Sequence, residues 1–324
     1  MFTFSNIITS NLYNSSKMNT LIKQKINDIE FKLKAPQDFS LLNDYGTVFY
    51  VIDETGSGCI NFGIEKEDKK YFFKIAGAQT ISAEISPYES IQLLKEAEKI
   101  YKVFKHPNLI QYIDSFEHQN LFILVFEFAE GECLFDHWNF DKYRKTKDIT
   151  PMMRFKFLPI DKRLKVVNQL FSFFNAVIDQ GYVAVDFYDS SIIYDFMSDT
   201  VTFCDIDLFR KCPSVNDLGE GYFGTKRLKA PEENILNAII DEKTNCFTLS
   251  ALIQDMFSEI TNLKQRYERG LFIPEEFDHF ELSLDVYKVL IKATDYDRDN
   301  RYISIQEFED HFNKAIQNMQ EPKY

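Results

Sequence analysis

The spacing of hydrophobic and polar positions changes near residue 130, and this change divides the chain into two parts. In the first part, short runs of β-branched and aromatic residues bounded by Gly or charged residues predict strands. These runs cover 46–52, 61–65, 70–75, 110–116 and 121–128. Between the third and fourth runs, apolar residues from Leu93 to Phe104 recur at helical spacing and predict one helix over 89–104.

Beyond residue 131 the spacing becomes mainly helical. One apolar face from Leu164 to Ile178 predicts a helix over 161–180, with Asp161 as its N-cap and Gly181 as its end. Three short strand-like runs are expected next, at 182–185, 192–194 and 201–204, followed by an irregular segment at 205–232. Further helices are expected at 249–260 and from 283 onward. The pattern predicts an α+β fold with a β-rich first part and a mostly helical second part.

Composition narrows the class of protein. The 324 residues are 45% hydrophobic, which is enough for a substantial core. The net charge of −13 repels nucleic acid and anionic membranes, so we expect neither as a partner. The five cysteines form no CxxC pair, which favours free thiols in a reducing compartment. Without an apolar leader at the N-terminus or a bilayer-length run, a cytoplasmic location is expected.

Lys74 is the most informative residue, because it is a cation inside the apolar run Tyr71–Ala76. A buried ammonium group is costly unless it meets an anion. The following helix offers two candidates, Glu96 and Glu98. We favour Glu96, because Ile100 lies four residues and Val103 seven residues beyond it, on the side expected to face inward.

Three further features carry chemistry. Asp186 follows the long amphipathic helix, and Asp205 and Asp207 follow a strand-like run about twenty residues later. Two carboxylates spaced by two residues in a loop can share a divalent cation. Gly56 and Gly58 lie between two predicted strands, where glycine lets backbone amides approach phosphate groups. A single Gly-x-Gly is a weak signal, and by itself it favours a plain hairpin turn.

The order of these features resembles a protein kinase. The strand lysine is followed by an acidic helix, His106-Pro107-Asn108, a hairpin, Asp186 and Asp205, and then by Gly224-Thr225 and Ala230-Pro231-Glu232, which resemble the end of an activation segment. The resemblance implies a two-lobed fold, with an extension or loosely attached helix at 1–40, an N-lobe at 41–128 and a C-lobe at 129–324.

The resemblance also implies roles for individual residues. Lys74, paired with Glu96, would contact the phosphates of ATP under the Gly56–Gly58 turn, with the adenine near Glu127 and Ala129. Asp205 and Ser191 would hold Mg²⁺ or Mn²⁺, and Asp186 would orient the acceptor hydroxyl, by default a serine or threonine of a protein. Glu232 would pair with Arg301, and Asn245 stands where the family usually has an aspartate.

Several positions depart from the family pattern. The expected residues are replaced by Asn61 (third glycine), Ala184 and Val185 (His-Arg before the aspartate), Tyr188 (loop lysine), Ser191 (metal-binding asparagine) and Asp207 (glycine). Asp189 could compensate for Ser191 at the metal. These departures leave open a pseudokinase that binds ATP or proteins, and a small-molecule kinase. The Ala230–Glu232 segment argues against the latter, because it builds a peptide-docking surface. Oligomeric state stays open.

Overall fold

The computed structural model describes residues 21–83 and 85–320. Its strands are β1 (Ile22–Ile26), β2 (Ile29–Leu33), β3 (Thr47–Ile52), β4 (Cys59–Lys66), β5 (Lys69–Ala76), β6 (Tyr112–His118), β7 (Leu121–Glu127), β8 (Glu132–Cys133), β9 (Tyr182–Val183), β10 (Ile192–Asp195), β11 (Thr200–Phe203), β12 (Arg210–Lys211), β13 (Ser214–Val215) and β14 (Ile239–Ile240). Its helices are α1 (Pro87–Val103), α2 (Phe140–Thr146), α3 (Pro151–Lys156), α4 (Ile160–Asp179), α5 (Glu242–Phe257), α6 (Leu263–Arg269), α7 (Leu284–Ala293) and α8 (Ile305–Gln320).

The first part is built on one antiparallel sheet with the strand order β3-β4-β5-β7-β6. Strand β5 alternates strictly, with Phe73 and Ile75 packed into the core on one face of the sheet. Because successive side chains of a strand point to opposite faces, Lys74 lies on the other face, toward α1 and the helical part. Leu124 and Phe126, which are paired with β5, join the helical core on that side.

The hairpin β1–β2 packs on the outer face of this sheet. Phe31 lies 5.5 Å from Phe62 of β4 between ring centroids, and Phe39 lies 5.1 Å from the same ring. Residues 22–33 therefore form a pair of strands whose buried side chains belong to the core of the sheet. The alternative of a loosely attached helix within 1–40 is wrong for these residues. Residues 1–20 of that segment lie outside the described residues.

A bulge in β3 shapes the sheet near its edge. The register with β4 shifts between Val48 and Tyr50, so that Phe49 and Tyr50 both lie against Gly63. A Cβ atom on Gly63 would approach the Phe49 ring to 2.8 Å, so a larger residue does not fit there. Two residues opposing one is the defining geometry of a β-bulge.

Helix α1 begins at a complete capping box. The Ser86 hydroxyl accepts the N–H of Glu89, and the Glu89 carboxylate accepts the N–H of Ser86 at 2.8 Å. Pro87 occupies the first helical position, where its missing N–H costs nothing. The buried face of this helix is formed by Ser90, Leu94, Ala97, Ile100 and Tyr101.

The second part surrounds α5, most of whose side chains are buried. Helix α4 packs beside α5. Its residues Leu170, Phe171 and Phe174 are buried in the same core. Gly181 ends the α4 region with φ 77°, as expected of a C-terminal glycine. Asp161 was predicted to cap α4, but Pro159 is the N-cap and Asp161 lies in the first turn.

The α+β fold class is confirmed, with a β-rich first region followed by a helical one. The exact domain boundaries at residues 41 and 129 stay predictions. Within residues 21–83 and 85–320, no helix combines the length and apolar character needed to cross a bilayer.

Candidate active site

Lys74 of β5 lies at the centre of a cluster of charged groups. Its ammonium donates to Oδ1 of Asp205 at 2.9 Å and lies 2.7 Å from Oδ2 of Asp207. Only 13% of its side chain is exposed. Burial by itself would lower the pKa of Lys74, but the charges of Asp205 and Asp207 raise it well above its ordinary value. The lysine therefore stays charged, and its anionic partners come from the loop after β11.

The predicted pair between Lys74 and Glu96 is wrong. The Glu96 side chain is 68% exposed and lies 2.6 Å from the ammonium of Lys99 on the same helix. Glu98, the alternative, binds Lys102 and Ser115 instead. The helix is rotated from the expected orientation, since Val103, which was used to define the inward face, is exposed.

Tyr101 is the polar residue that α1 does turn toward the site. Its buried hydroxyl donates to Oδ1 of Asp207 at 2.9 Å and accepts the backbone N–H of Ile206 at 3.2 Å. Its ring packs edge-on against Phe126, with centroids 4.8 Å apart. The periodicity of α1 marked this tyrosine as core, and its role at the site was not foreseen.

Asp186 is held in the same region by its backbone. Asn245 of α5 accepts the N–H of Ala184 and donates to its carbonyl, both at 2.8 Å, which fixes the chain two residues before Asp186. Asp186 itself has φ 58°, a conformation uncommon outside glycine that often marks functional loops. Burial, assisted by the charge of Asp205, raises the pKa of Asp186 to about 8.

Asp205 has the same left-handed conformation, with φ 57°, and its side chain is 47% exposed. Among the described residues, no three His, Cys, Asp or Glu side chains are arranged to hold a metal ion by themselves. Magnesium in nucleotide sites usually needs only one or two carboxylates, the rest being phosphate oxygens and water. The accessible oxygens of Asp205, beside the carboxyl group of Asp207, fit that requirement.

Ser191 and Asp189 lie in the short turn that precedes β10, and both are buried. The Ser191 hydroxyl accepts the N–H of Tyr188 at 3.4 Å, and its carbonyl accepts the N–H of Cys204 at 2.9 Å. Asp189 cannot compensate at a metal as suggested, because its carboxylate binds the guanidinium of Arg227.

Arg227 extends this pairing into the helical region. It also contacts Asp255 at 3.3 Å, and Asp255 in turn accepts from Arg266 at 2.7 Å. This buried chain of charges ties the loop after β9 to α5 and α6. No local sequence pattern pointed to it, because its members are far apart along the chain.

The turn that was expected to cover phosphates lies between β3 and β4, as predicted. Gly58 has φ 74°, and a Cβ atom there would come within 3.1 Å of the Ser90 hydroxyl on α1. Gly56 lies in the same turn. Asn61, in place of the third glycine, is buried opposite Lys74, and its Oδ1 atom has no hydrogen-bond partner among the described residues.

The connector after β7 is exposed at Glu127 and half-buried at Ala129. The N–H of Glu127 donates to the Gln111 carbonyl at 2.9 Å, and that of Phe128 donates to the Lys70 carbonyl at 3.0 Å. The segment therefore continues from the end of β7, which lies between β5 and β6, to the helical core, against which Ala129 packs.

The predicted pair between Glu232 and Arg301 is confirmed. It is bidentate, with distances of 2.7 and 3.0 Å, and both side chains are buried. Thr244 donates to the same carboxylate at 2.8 Å. Burial would raise the pKa of Glu232, but its hydrogen bonds and the charge of Arg301 bring it below the usual range.

A small cleft opens between Asp186 and the Gly224–Glu232 segment. Lys229 is buried there and donates to the Tyr222 carbonyl. Burial lowers the pKa of Lys229, although the charges of Glu233 and Asp186 oppose the shift. The cleft is lined by Asp186, Phe187, Gly224, Thr225, Leu228, Lys229, Glu233 and Thr248.

Comparison with known proteins agrees with this geometry. The family described as the protein kinase domain matches residues 52–319, and the chain belongs to the protein kinase family. A segment of 95 residues is 34% identical to the serine/threonine-protein kinase TIO of Arabidopsis thaliana. That match covers 29% of this chain and 7% of the relative, so the chain spans only a small part of that protein's length.

Proposed function

We propose that this chain transfers the γ-phosphate of ATP to a serine or threonine hydroxyl of a protein. The observation that carries this proposal is the convergence of Lys74 from the sheet with Asp205 and Asp207 from the helical part, beside Asp186. Family membership supports the general reaction. The serine/threonine acceptor rests on the partial match to the plant kinase.

Each residue has a distinct role in this proposal. Lys74 contacts the phosphates, and Asp205 with Ser191 holds Mg²⁺ or Mn²⁺, which neutralises phosphate charge when bound. Gly56 and Gly58 cover the phosphates, while Glu127 and Ala129 border the adenine. The reaction is accelerated mainly by positioning and by charge stabilisation.

Asp186 orients the acceptor hydroxyl and accepts its proton. A carboxyl group with a pKa of about 8 is mostly protonated at neutral pH, so it needs nearby positive charge to act as a base. The charge of Asp205 is one cause of the raised pKa of Asp186. A cation held by Asp205 would offset that charge and would lower the pKa of Asp186. The buried Lys229 lies in the same cleft and adds to this effect.

The test is an incubation with γ-labelled ATP, Mg²⁺ or Mn²⁺ and a general protein substrate. Native protein is compared with Lys74→Ala and Asp186→Asn, and the exposed Asp285→Asn serves as a matched control. We expect label on serine or threonine for the native chain and the control, and a loss of about a hundredfold or more in the other two. Equal labelling of all four proteins would reject these roles.

A pseudokinase is the second candidate, and the buried Ser191 favours it. Its hydroxyl already accepts a backbone N–H, so cation binding depends mostly on Asp205. Binding of ATP without transfer, unchanged in Asp186→Asn, would support this candidate. Label on a small hydroxyl compound, but on no protein, would instead support a small-molecule kinase.

A further inference from the structure

The two carboxylates that bind Lys74 are not equivalent. Asp205 is 47% exposed, and Lys74 is the residue that its side chain contacts. Asp207 is 18% exposed and contacts both Lys74 and the Tyr101 hydroxyl. The proposed function assigns Asp205 to the cation, and a carboxylate oxygen on a divalent cation no longer neutralises an ammonium group. Asp207 is then the partner that remains with Lys74.

Helix α1 does not supply this partner. Glu89 is used in the capping box, and Glu96 and Glu98 bind Lys99 and Lys102. On the face that carries Tyr101, the position one turn earlier is Ala97, which is fully buried and has no carboxylate. Among the described residues of α1, the group that reaches the charged cluster is the Tyr101 hydroxyl.

The contacts of Asp207 fix its carboxylate in one orientation. Oδ1 accepts from Tyr101 at 2.9 Å, while Oδ2 faces Lys74 at 2.7 Å. The Tyr101 oxygen is itself anchored, because it accepts the N–H of Ile206, which lies between the two aspartates. Each oxygen of the carboxylate therefore has one assigned partner, and the lysine meets it at a defined place.

We propose that Asp207, oriented by Tyr101, is the positioning residue that holds Lys74 for the phosphates in place of a carboxylate from α1. This inference rests on the proposed function. It connects α1 to Lys74 through a neutral hydroxyl and a carboxylate of the loop. A shift of the helix would then reach Lys74 through Asp207.

The test compares the affinities of the full chain for ATP and for adenosine, with Mg²⁺ present, by calorimetry. The lysine acts on phosphates, which adenosine lacks. The variants are Asp207→Asn, which keeps size and removes charge, and Tyr101→Phe, which removes only the hydroxyl. Glu96→Gln is the control, because it removes a charge from an exposed part of the same helix. Melting temperatures report on folding.

We expect the preference for ATP over adenosine to fall about tenfold in Asp207→Asn and less in Tyr101→Phe, with adenosine affinity unchanged. Charge alone predicts the opposite, since removing an anion beside the phosphates would strengthen ATP binding. An unchanged or larger preference in both variants overturns the proposal. A fall in Asp207→Asn alone overturns the part assigned to Tyr101.

Other outcomes remain informative. If Asp207→Asn does not fold, Tyr101→Phe carries the test, because it leaves the buried charge pair intact. An equal loss of ATP and adenosine affinity means a structural role only and overturns the proposal. The measurement needs no catalysis, so a native chain that binds ATP without transferring label fails the proposed function while this test still decides on Asp207.

Discussion

The cluster around Lys74 and the cluster around Arg301 both pair a buried cation with carboxylates, but they enclose the charge to different degrees. Arg301 and Glu232 are both buried, and the pair is bidentate. At Lys74 the cation is nearly buried, while Asp205 is half exposed. The first arrangement is complete without a ligand. The second leaves oxygen atoms accessible, as a site that binds a cation and phosphates requires.

The comparison also separates what the chain shares with its family from what it has changed. The Glu232–Arg301 pair is the one that the family resemblance implied. The partners of Lys74 are Asp205 and Asp207 of the loop after β11, rather than the helix carboxylate that the resemblance implied. We therefore expect stability to depend most on the first cluster and the proposed function on the second. Three substitutions probe buried groups in these two regions.

The largest effect is expected for Arg301→Ala. It leaves the Glu232 carboxylate buried without its bidentate partner, which costs about 3–5 kcal/mol in the free energy of unfolding. Denaturant unfolding measures the loss, with the exposed Lys264→Ala as a control that changes stability by about 0.5 kcal/mol at most. Lys74→Ala is expected to destabilise clearly less than Arg301→Ala. Equal losses for the two would remove the distinction between the clusters.

The second prediction concerns pH and Asp186. The unfolded side chain ionises near pH 4, whereas burial and Asp205 raise the pKa of the folded one to about 8. The resulting penalty on the folded state is absent below about pH 4, grows up to pH 8 and is constant above it. Linkage puts this penalty at about 5 kcal/mol at pH 8 as an upper bound. Asp186→Asn removes it and should stabilise the protein there by a few kcal/mol.

Melting curves without divalent cations, recorded at pH 5 and pH 8, check this result. The gain from Asp186→Asn should be larger at pH 8 than at pH 5, and Asp285→Asn should show no such dependence. A gain that is independent of pH would mean that Asp186 is not held protonated by its surroundings.

The smallest effect is expected for Asn245→Ala. The substitution leaves the N–H and carbonyl of Ala184 without their partner, at a cost of about 1–2 kcal/mol. Asn245→Asp restores the residue usual in the family, but a carboxylate cannot donate to the Ala184 carbonyl, so it should not match the native stability. The exposed Asn300→Ala is the control. An Asp variant as stable as the native chain would show that the donated hydrogen bond contributes nothing.

Local patterns predicted the strands β3 to β7 and the long helices, and marked Lys74, Asp186 and Asp205 as candidates, because each depends on residues near it in sequence. They did not predict the hairpin β1–β2. The error at Glu96 has a definite cause. The inward face was defined by Ile100 and Val103. Ile100 is buried, but Val103 is exposed, and the buried stripe is centred on Leu94, Ala97 and Tyr101. A helix rotated by less than half a turn moves a carboxylate from the site to solvent.

Contacts between distant segments were harder to predict. The chain from Asp189 through Arg227 to Asp255 joins three separate elements, and no spacing rule links them. For Tyr101 and Asp207 a signal was present, since an aspartate occupies the family's glycine position. The sequence pattern suggested that Asp207 shares a divalent cation with Asp205. Sequence alone does not show which side of the loop faces Lys74.

The hairpin β1–β2 has a consequence for where this folding unit begins. The family match starts at residue 52, yet Phe31 and Phe39 cover Phe62 on the outer face of the sheet. A fragment trimmed to the family boundary would lose those rings and leave Phe62 and Ile64 in contact with water. In this protein, strands packed on the sheet therefore occur about thirty residues before the family match begins.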